Sequence, residues 1–356
     1  MKQLKKAVVM AVLAMTMVFA LQQETKAEII LNDIPETLVF GKGYEHKNME
    51  RVTYYQYKMH VPQSGMVSFS VDSNDVTRHR IYEASDINFE NLLVETEHEY
   101  GISSHNHYLL AGDYIVHFGT DYKKDRNISF VAKFTPSGET KSESYRESNN
   151  MVGTATSYTF GQKVKALLAL NDDRDIYKLK VKKPGYLTIN CNSDLQSMNM
   201  QLVSEVAGVC YNHYGLPVGV SKYKYFVPKG TYYLSFLKDS TNGFYTFSVK
   251  HSLMSVSKVK KATNLKGKKA KISWSKKSDV DGYQVEVALN KKFTKGKKSK
   301  TLAVTTGGYG NNPTNHTFAK LKKGKYYYAR VRTYKLSNGK KCYSDWSSVK
   351  KFKVKK

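Results

Sequence analysis

Apolar and polar residues alternate along most of this chain. Residues 57–61 and residues 282–287 both place apolar side chains at every second position. A period of two is typical of β-strands with one buried and one solvated face. No long stretch repeats apolar residues at the spacing of an α-helix. Tyrosine is abundant, with 27 residues, and proline is scarce, with 7, which also favours strands. We therefore predict an all-β chain.

The pattern repeats within the first two-thirds of the chain. Residues 57–69 (YKMHVPQSGMVSF) match residues 177–189 (YKLKVKKPGYLTI) at an offset of 120, and residues 111–118 match residues 229–236 at an offset of 118. Gly65 and Gly185 separate two alternating segments, where a tight turn would join two strands. The repeat predicts two similar domains, each a sandwich of two sheets.

The repeated residues resemble a known bacterial family. The second copy begins with Asp173, Asp175 and Tyr177, continues with V-x-x-x-G at 181–185 and G-x-Y-x-L-x-F at 230–236, and closes on YTFSV at 245–249. This combination resembles the pre-peptidase C-terminal domain. The first copy has Thr53-Tyr54-Tyr55 in place of the aspartates. The resemblance implies a β-sandwich that accompanies secreted proteins, often enzymes, and that binds calcium in some relatives.

From residue 256 onward the pattern changes. Trp274 closes one alternating segment, G-Y-Q-V opens the next at 282–285, and residues 321–331 read LKKGKYYYARV. These residues resemble a fibronectin type III domain, in a lysine-rich form similar to modules on surface proteins of Gram-positive anaerobes. The resemblance implies that Trp274 lies in the core. It also implies that Leu321 and Tyr327 form a corner in which the tyrosine hydroxyl bonds back to the chain.

These segments predict three tandem β-sandwiches. The first two, at residues 28–137 and 145–252, are pre-peptidase C-terminal-like, and the third, at 256–356, is fibronectin type III-like. Residues 135–144 and 252–261 are polar or turn-rich and are expected to be linkers.

The N-terminus predicts export. Lys2, Lys5 and Lys6 precede an apolar stretch at 7–21, and Thr25-Lys26-Ala27 follows it with small residues at cleavage-site positions. This order is typical of a secretory signal peptide, here residues 1–27. The alternative is a membrane anchor, but the stretch is shorter than the roughly 20 residues that a spanning helix needs. We expect no transmembrane segment in the mature chain, and a secreted, extracellular protein associated with the cell surface.

The charge is unevenly distributed. Residues 255–356 contain 29 Lys and Arg against 4 Asp and Glu, whereas residues 28–254 contain 24 against 25. A field of this size attracts polyanions. The expected partners are an anionic cell-wall polymer, a glycan or an extracellular protein, with no specific nucleic acid. The alternative is that the lysines only keep the domain soluble.

The third domain supplies the predicted contacts with an anionic surface. If Tyr327, Ala329 and Val331 face inward, then Tyr326, Tyr328, Tyr334 and two arginines lie on the outer face, where they either grip anionic groups or form an ordinary exposed strand. The predicted contact residues are Lys266, Lys268, Lys269, Lys271, Lys276, Lys277, Lys322, Lys323, Lys325, Arg330 and Arg332, with Lys291, Lys292, Lys297 and Lys298 as further members of the set.

Other chemistry in the sequence is sparse. Asp172, Asp173 and Asp175 form a dense acidic cluster, which is either a calcium site or a turn whose carboxylates pair with Arg174 or a lysine. No other cofactor is expected. His105 and His107 either bind a metal weakly or form a polar face. Cys191 and Cys210 either pair in a disulfide or stay as two buried thiols.

No catalytic motif is recognisable. The sequence lacks HExxH, GxSxG and a phosphate-binding glycine loop, and three sandwiches leave no segment for a catalytic domain. We therefore predict a non-catalytic surface protein that functions in binding or adhesion, including carbohydrate binding. The alternatives are an accessory subunit or diverged member of a secreted hydrolase system, and a spacer in an assembly.

Overall fold

The computed structural model describes residues 29–30, 34–49, 53–86, 88–120, 126–140, 144, 149–305 and 310–355. The predicted signal peptide, residues 1–27, lies outside the described residues. Within them β-strand is the only extended type of regular secondary structure, and turns and irregular segments connect the strands. None of the described residues forms a helix long and apolar enough to cross a membrane.

The first sandwich is built from ten strands. One sheet has the order β1-β4-β9-β6-β7, with β2 also paired to β4, and the other has the order β3-β10-β5-β8. The strands are β1 (Ile29–Ile30), β2 (Glu36–Leu38), β3 (Gly43–Met49), β4 (Thr53–Val61), β5 (Gly65–Ser73), β6 (Thr77–Glu83), β7 (Leu92–His98), β8 (Gly101–Leu109), β9 (Gly112–Thr120) and β10 (Arg126–Pro136).

The second sandwich follows the same plan. One sheet has the order β11-β13-β18-β15-β16 and the other the order β12-β19-β14-β17. Its strands are β11 (Thr156–Ser157), β12 (Lys163–Leu168), β13 (Arg174–Val181), β14 (Gly185–Ser193), β15 (Met198–Ser204), β16 (Val209–Leu216), β17 (Gly219–Val227), β18 (Gly230–Lys238) and β19 (Gly243–Leu253). Apart from the short strands at the start, each strand has a counterpart in the first sandwich.

The third sandwich pairs a small sheet with a larger one. The small sheet has the order β20-β21-β24, and the larger has the order β23-β22-β25-β26, with β27 also paired to β25. The strands are β20 (Val259–Leu265), β21 (Lys269–Trp274), β22 (Gly282–Ala288), β23 (Lys298–Ala303), β24 (Asn315–Phe318), β25 (Tyr326–Ser337), β26 (Lys340–Tyr343) and β27 (Lys350–Lys353). The prediction of an all-β chain of tandem sandwiches is confirmed.

The alternating residues of each strand form the cores. In β5 the apolar side chains of Val67, Phe69 and Val71 are fully buried, and the residues between them are half-buried or exposed. Leu187, Ile189 and Cys191 take the same places in β14. A period of two therefore assigns each side chain to the core or to the surface, as the sequence predicts.

Tyrosine corners close all three sandwiches. The hydroxyl of Tyr114 donates to the carbonyl of Leu110 at 2.8 Å, and that of Tyr232 donates to the carbonyl of Pro228 at 2.8 Å. In the third sandwich the Tyr327 hydroxyl accepts a hydrogen bond from the Lys322 N–H at 3.0 Å. The predicted corner at Tyr327 is therefore present, and the two repeats contain similar corners that the sequence analysis did not identify.

The third core contains the residues expected of it. Trp274 is 1% exposed, and Tyr327, Ala329 and Val331 face inward. Tyr334 lies on the outer face, as predicted, but it is only 3% exposed there because its ring packs over Gly282 and beside Tyr343. Tyr334 is paired with Gly282 in the ladder, and a Cβ atom on that glycine would lie 2.4 Å from the Tyr334 ring. The missing side chain of Gly282 leaves the space that the tyrosine ring fills.

Gly65 and Gly185 serve close approach rather than a turn. Each is the first residue of a strand, and neither has a positive φ angle. A Cβ atom on Gly65 would lie 2.5 Å from the Thr135 carbonyl oxygen, and one on Gly185 would lie 2.2 Å from that of Ser252. The predicted tight connection is present, since three residues join β4 to β5 and β13 to β14, and the glycine that follows it allows the close approach of the adjacent strand.

The chain divides into two compact units. One comprises the described residues up to Gly138 together with Ala169–Asn171, and the other comprises nearly all residues after Gly138. The second and third sandwiches thus belong to one unit. Within it, Lys183 contacts Asp345 at 2.7 Å, and the Asn338 side-chain amide donates to the Gly208 carbonyl at 2.5 Å.

We predict that Gly65→Ala destabilises the first sandwich by roughly 1–3 kcal/mol, because the added methyl group overpacks against β10. Urea denaturation would measure the change. Gly43→Ala is the matched control, since a Cβ atom there meets nothing within 4 Å. Equal stability of the two variants would contradict the close-approach explanation.

Candidate binding surfaces

Ten of the predicted lysines of the third sandwich meet at one end of it. The β20–β21 turn and the turn before β25 are joined by a hydrogen bond from the Leu321 N–H to the Lys268 carbonyl at 3.0 Å. The Lys298 ammonium bonds the Ala319 and Lys320 carbonyls, which brings the β22–β23 connection to the same end. We call this end the lysine pole; it consists of Lys266, Lys268, Lys269, Lys291, Lys292, Lys297, Lys298, Lys322, Lys323 and Lys325. All are exposed except the half-buried Lys298.

The structure separates other predicted residues from the lysine pole. Lys271 lies on the outer face of the small sheet, in the middle of β21. Lys276 and Lys277 follow β21 at the opposite end of the sandwich, where the Lys277 backbone bonds the Tyr283 hydroxyl. The lysines predicted to contact an anionic surface are therefore divided between the lysine pole and several positions away from it.

Within the described residues, no ion pair joins an acidic side chain to the lysine pole. Residues 255–356 contain four acids, and each is paired elsewhere. Lys335 contacts Asp279 at 2.6 Å and Asp281 at 4.0 Å. Glu286 pairs with Arg330 at 2.7 Å, and Asp345 pairs with Lys183 of the second sandwich. The positive charge of the pole is thus available to an external anion.

Arg330 and Arg332 are held in a stack of aromatic rings. The Arg330 guanidinium lies 4.0 Å from the centres of both the Phe293 and Trp346 rings, and Glu286 accepts two of its hydrogen bonds. The Arg332 guanidinium lies 3.7 Å from the Tyr343 ring and 4.4 Å from the Trp346 ring. It also donates to the side-chain oxygen Oε1 of Gln284 at 2.7 Å.

This stack gives both arginines intramolecular partners. Planar guanidinium groups combine stacking with directed hydrogen bonds. Because Glu286 already balances the charge of Arg330, the predicted contact of these two arginines with an external anion has less geometric support than that of the lysines.

The acidic cluster of the second sandwich does not converge on one point. Asp175 is buried and accepts a hydrogen bond from the Tyr245 hydroxyl. Asp173 is exposed and contacts the Lys238 ammonium at 3.3 Å. No group of three His, Cys, Asp or Glu among the described residues is arranged to hold a metal ion.

Asp172 differs from its two neighbours. Its side chain is fully buried, and neither carboxylate oxygen makes a hydrogen bond within the described part of the chain. Burial raises the pKa of Asp172 to about 7, although the nearby Asn150 amide, Lys238 ammonium and Arg174 N–H partly oppose the shift. The side-chain oxygen of Asn150 is also buried without a hydrogen-bond partner. Buried oxygens of this kind need a proton or a cation.

The predicted disulfide between Cys191 and Cys210 is not formed. Cys191 faces the core from β14, where burial raises the pKa of its thiol to about 12. Cys210 lies on β16 of the opposite sheet and is exposed. The two side chains therefore point to different sides of the sandwich, and both remain free thiols.

A buried histidine chain crosses the first sandwich. His79 Nδ1 lies 2.7 Å from His98 Nε2, and His79 Nε2 lies 2.7 Å from His107 Nε2. His98 Nδ1 in turn lies 2.6 Å from the Ser103 hydroxyl. If each of these contacts contains one proton, every contact is a hydrogen bond and all three imidazole rings are neutral. The two outer histidines contact different nitrogens of His79, so the rings form a hydrogen-bonded row rather than a metal-ligand set.

Sequence reasoning missed this row because its members come from three strands. His105 and His107 do share the inner side of β8, as alternation implies, but His79 and His98 come from β6 and β7. Strand registers identify the equivalent positions of the second sandwich. Met200 faces Phe236 as His79 faces Phe118, and Tyr225 faces Leu187 as His107 faces Val67. His79 and His107 therefore occupy positions at which the second sandwich has an apolar or an aromatic side chain.

We predict that the first sandwich loses stability between about pH 6.5 and pH 4. Burial, followed by the neighbouring imidazoles, lowers the pKa of both His98 and His107 to about 4 and that of His79 well below its usual value. The unfolded chain therefore takes up protons first as the pH falls, and each histidine removes up to about 1.4 kcal/mol per pH unit.

Urea denaturation from pH 8 to pH 4 would measure this loss. The comparison is His79→Met/His98→Leu, which copies Met200 and Leu216 of the second sandwich, since Leu216 pairs with Met198 as His98 pairs with Thr77. This variant should show a shallower pH dependence. An identical pH dependence in both proteins would show that the histidines do not cause it.

Comparisons with known proteins do not identify a family for this chain. No protein-family model matches the chain, and no curated protein matches it. Among solved structures, a two-domain fibronectin type III segment from chicken tenascin is 17% identical, covers 51% of this chain and 100% of its own, and has a TM-score of 0.31. The FN1–FN3 domains of chicken CNTN1 are 9% identical, cover 90% of this chain and 99% of their own, and have a TM-score of 0.24. The PBSX exported protein XepA is 8% identical over 59% of this chain and 87% of its own, with a TM-score of 0.23.

Proposed function

We propose that this protein is a non-catalytic, secreted binding protein whose lysine pole attaches it to an anionic polymer at the cell surface. The observation that carries the proposal is the separation of charge within the third sandwich. Ten lysines meet at one end, and all four acids are paired elsewhere. A concentrated, uncompensated field of this kind attracts polyanions and accelerates their encounter with the protein.

The proposed attachment consists of many weak contacts. A single exposed ammonium–anion pair contributes roughly 1 kcal/mol or less. Several pairs formed with one polymer act together, because each contact raises the local concentration of the next anionic group. Exposed charges are screened within about 10 Å at 0.1 M salt, so binding should weaken steeply as the salt concentration rises. The first two sandwiches would then be the displayed part of the protein.

We expect the mature protein to bind purified Gram-positive cell wall at low salt and to be released as salt is added. Replacing Lys266, Lys268, Lys269, Lys322, Lys323 and Lys325 with glutamine should reduce binding at least tenfold and flatten the salt dependence. Sedimentation of wall-bound protein across a salt series would measure both effects.

The matched control removes six exposed lysines outside the lysine pole, namely Lys258, Lys260, Lys261, Lys276, Lys340 and Lys341. This control should retain most of the binding. Equal losses in the two variants would show that net charge alone, rather than the pole, attracts the wall. Wall stripped of its anionic polymers should bind neither protein.

We also propose that Asp172 and Asn150 contribute oxygen ligands to a calcium ion in the second sandwich. The supporting observation is the buried Asp172 carboxylate, whose contacts with the Asn150 side chain and the Arg174 N–H do not offset the effect of burial on its pKa, beside a buried Asn150 oxygen that has no hydrogen-bond partner among the described residues. Calcium prefers carboxylate and amide oxygens. A bound divalent cation would compensate the buried charge that otherwise raises the pKa of Asp172.

Thermal unfolding at pH 8 would test this proposal. Calcium should raise the melting temperature of the wild-type protein and leave that of Asp172→Asn unchanged. In chelator, Asp172→Asn should be the more stable protein by roughly 1–4 kcal/mol, because it removes a buried carboxylate whose ionisation costs stability as the pH rises from about 4 to 7. A wild-type protein that does not respond to calcium would contradict the site.

A further inference from the structure

A cleft of about 630 Å³ opens on the second sandwich, on the outer face of the sheet that contains β14, β17 and β19. Its far wall is formed by Ser278 and Asp279 of the third sandwich. The Tyr186 hydroxyl donates to the Asp279 carbonyl at 3.1 Å, and the Thr333 hydroxyl donates to the Ser255 carbonyl at 2.7 Å. These bonds hold the two walls together, so the cleft is formed before any ligand arrives.

Three lysines point into this cleft from the sheet. Lys224 and Lys250 are the ladder partners of Thr188 on its two sides, and Lys222 is the partner of Asn190 one row away. Neighbouring strands lie about 4.8 Å apart, so three ammonium groups share a small area of one sheet face. Like charges this close destabilise a sheet, and an anion bound among them would remove that cost.

The lysines of the cleft outnumber its acids. Asp279 is the one acidic residue in its lining, and the Lys335 ammonium contacts it at 2.6 Å. Although partial burial acts to raise the pKa of this carboxyl, Lys335, the Tyr186 hydroxyl and Lys224 hold it below its usual value. Lys222 and Lys250 make no ion pair within the described residues. The Lys224 ammonium lies 4.5 Å from the centre of the Tyr186 ring, which orients its side chain over the sheet.

The fold does not require these charges. The same face of the first sandwich has Ser104 in the place of Lys222 and Asn106 in the place of Lys224, as the pairing of β8 with β5 shows. Only Lys133, which pairs with Ser68, corresponds to a lysine, Lys250. Two repeats with the same architecture therefore differ in charge at this face.

The remaining lining identifies the ligand chemistry. Thr188, Asn190, Ser252 and Ser278 contribute hydroxyl and amide groups, which exchange hydrogen bonds with sugar hydroxyls. The ammonium groups suit carboxylate or phosphate substituents. The volume is in the range of small-ligand sites. We propose that the cleft is a second, specific binding site for an anionic carbohydrate, whose charged substituents lie among Lys222, Lys224 and Lys250 and whose hydroxyls contact Asn190 and its polar neighbours.

This site is distinct from the lysine pole. The cleft lies beside Ser278 and Asp279, at the opposite end of the third sandwich from the turns that form the pole. The pole consists of lysines on turns, nearly all of them exposed, so it is suited to general attachment. The cleft combines charge with directed hydrogen bonds and is suited to recognising particular sugar units.

Isothermal titration calorimetry of the mature protein would test the proposal with three probes, namely an oligogalacturonate, a poly(glycerol phosphate) oligomer and a neutral chito-oligosaccharide. At least one anionic probe should bind, and the neutral one should bind at least tenfold more weakly. Whichever of the two binds more tightly identifies carboxylate or phosphate as the preferred substituent. Binding of the neutral probe as tight as that of the anionic probes would overturn the proposal, and so would the absence of binding by both anionic probes.

Variants then locate the site. Lys222→Gln/Lys250→Gln should weaken binding at least tenfold, whereas Lys180→Gln/Lys182→Gln, which removes the same charge from exposed positions outside the cleft, should change it less than twofold. Asn190→Ala, which changes no charge, should weaken it three- to tenfold.

The variant that lacks six pole lysines should bind the oligosaccharide as the wild type does. Loss of binding in that variant with retention in the cleft variants would assign the ligand to the pole and overturn the proposal.

Discussion

A pair of aromatic rings crosses from one sheet to the other in each of the three sandwiches. Phe118 stacks on Phe130 with 3.8 Å between ring centres in the first, and Phe236 packs against Phe247 at 4.8 Å in the second. In the third, Trp274 lies 5.7 Å from Tyr283. Large rings contribute more buried area than any other side chain. The pairs fix the spacing of the sheets, and the positions of the edge strands, corners and turns depend on that spacing.

The same constraint decides where charge is placed. Inner positions of the strands are occupied by apolar side chains, so lysines are restricted to outer faces and turns. Turns that are distant in sequence meet at the ends of the third sandwich, because its paired strands are antiparallel and return the chain to the same end. Lys268 and Lys322 lie together at the lysine pole because their turns meet there, and no ion pair between their side chains and an acid is needed to position them. The acids, in contrast, lie on strands or at the opposite end, each beside a basic partner.

The two repeats show how one scaffold can present different chemistry. Their central strands retain equivalent aromatic residues and corner tyrosines, since these residues determine the packing. Their edge strands and outer faces differ: His79 stands where the second repeat has Met200, and Asn106 stands where it has Lys224. Substitution at these places leaves the sheet pairing unchanged, so buried histidines in one repeat and a cationic cleft in the other are compatible with the same fold.

The sequence by itself determined the strand content, the repeat, the core position of Trp274 and the corner at Tyr327. These features depend on alternation and on short motifs, which act within one or two neighbouring strands. Only the tertiary structure decided which strands are adjacent and which turns meet. It separated Cys191 from Cys210, buried Tyr334 above Gly282, isolated Asp172 from Asp173 and Asp175, and assembled histidines from three strands. A period of two states which side of a strand a residue occupies, but it does not state what lies opposite, because that depends on sheet order and on the packing of one sheet against another.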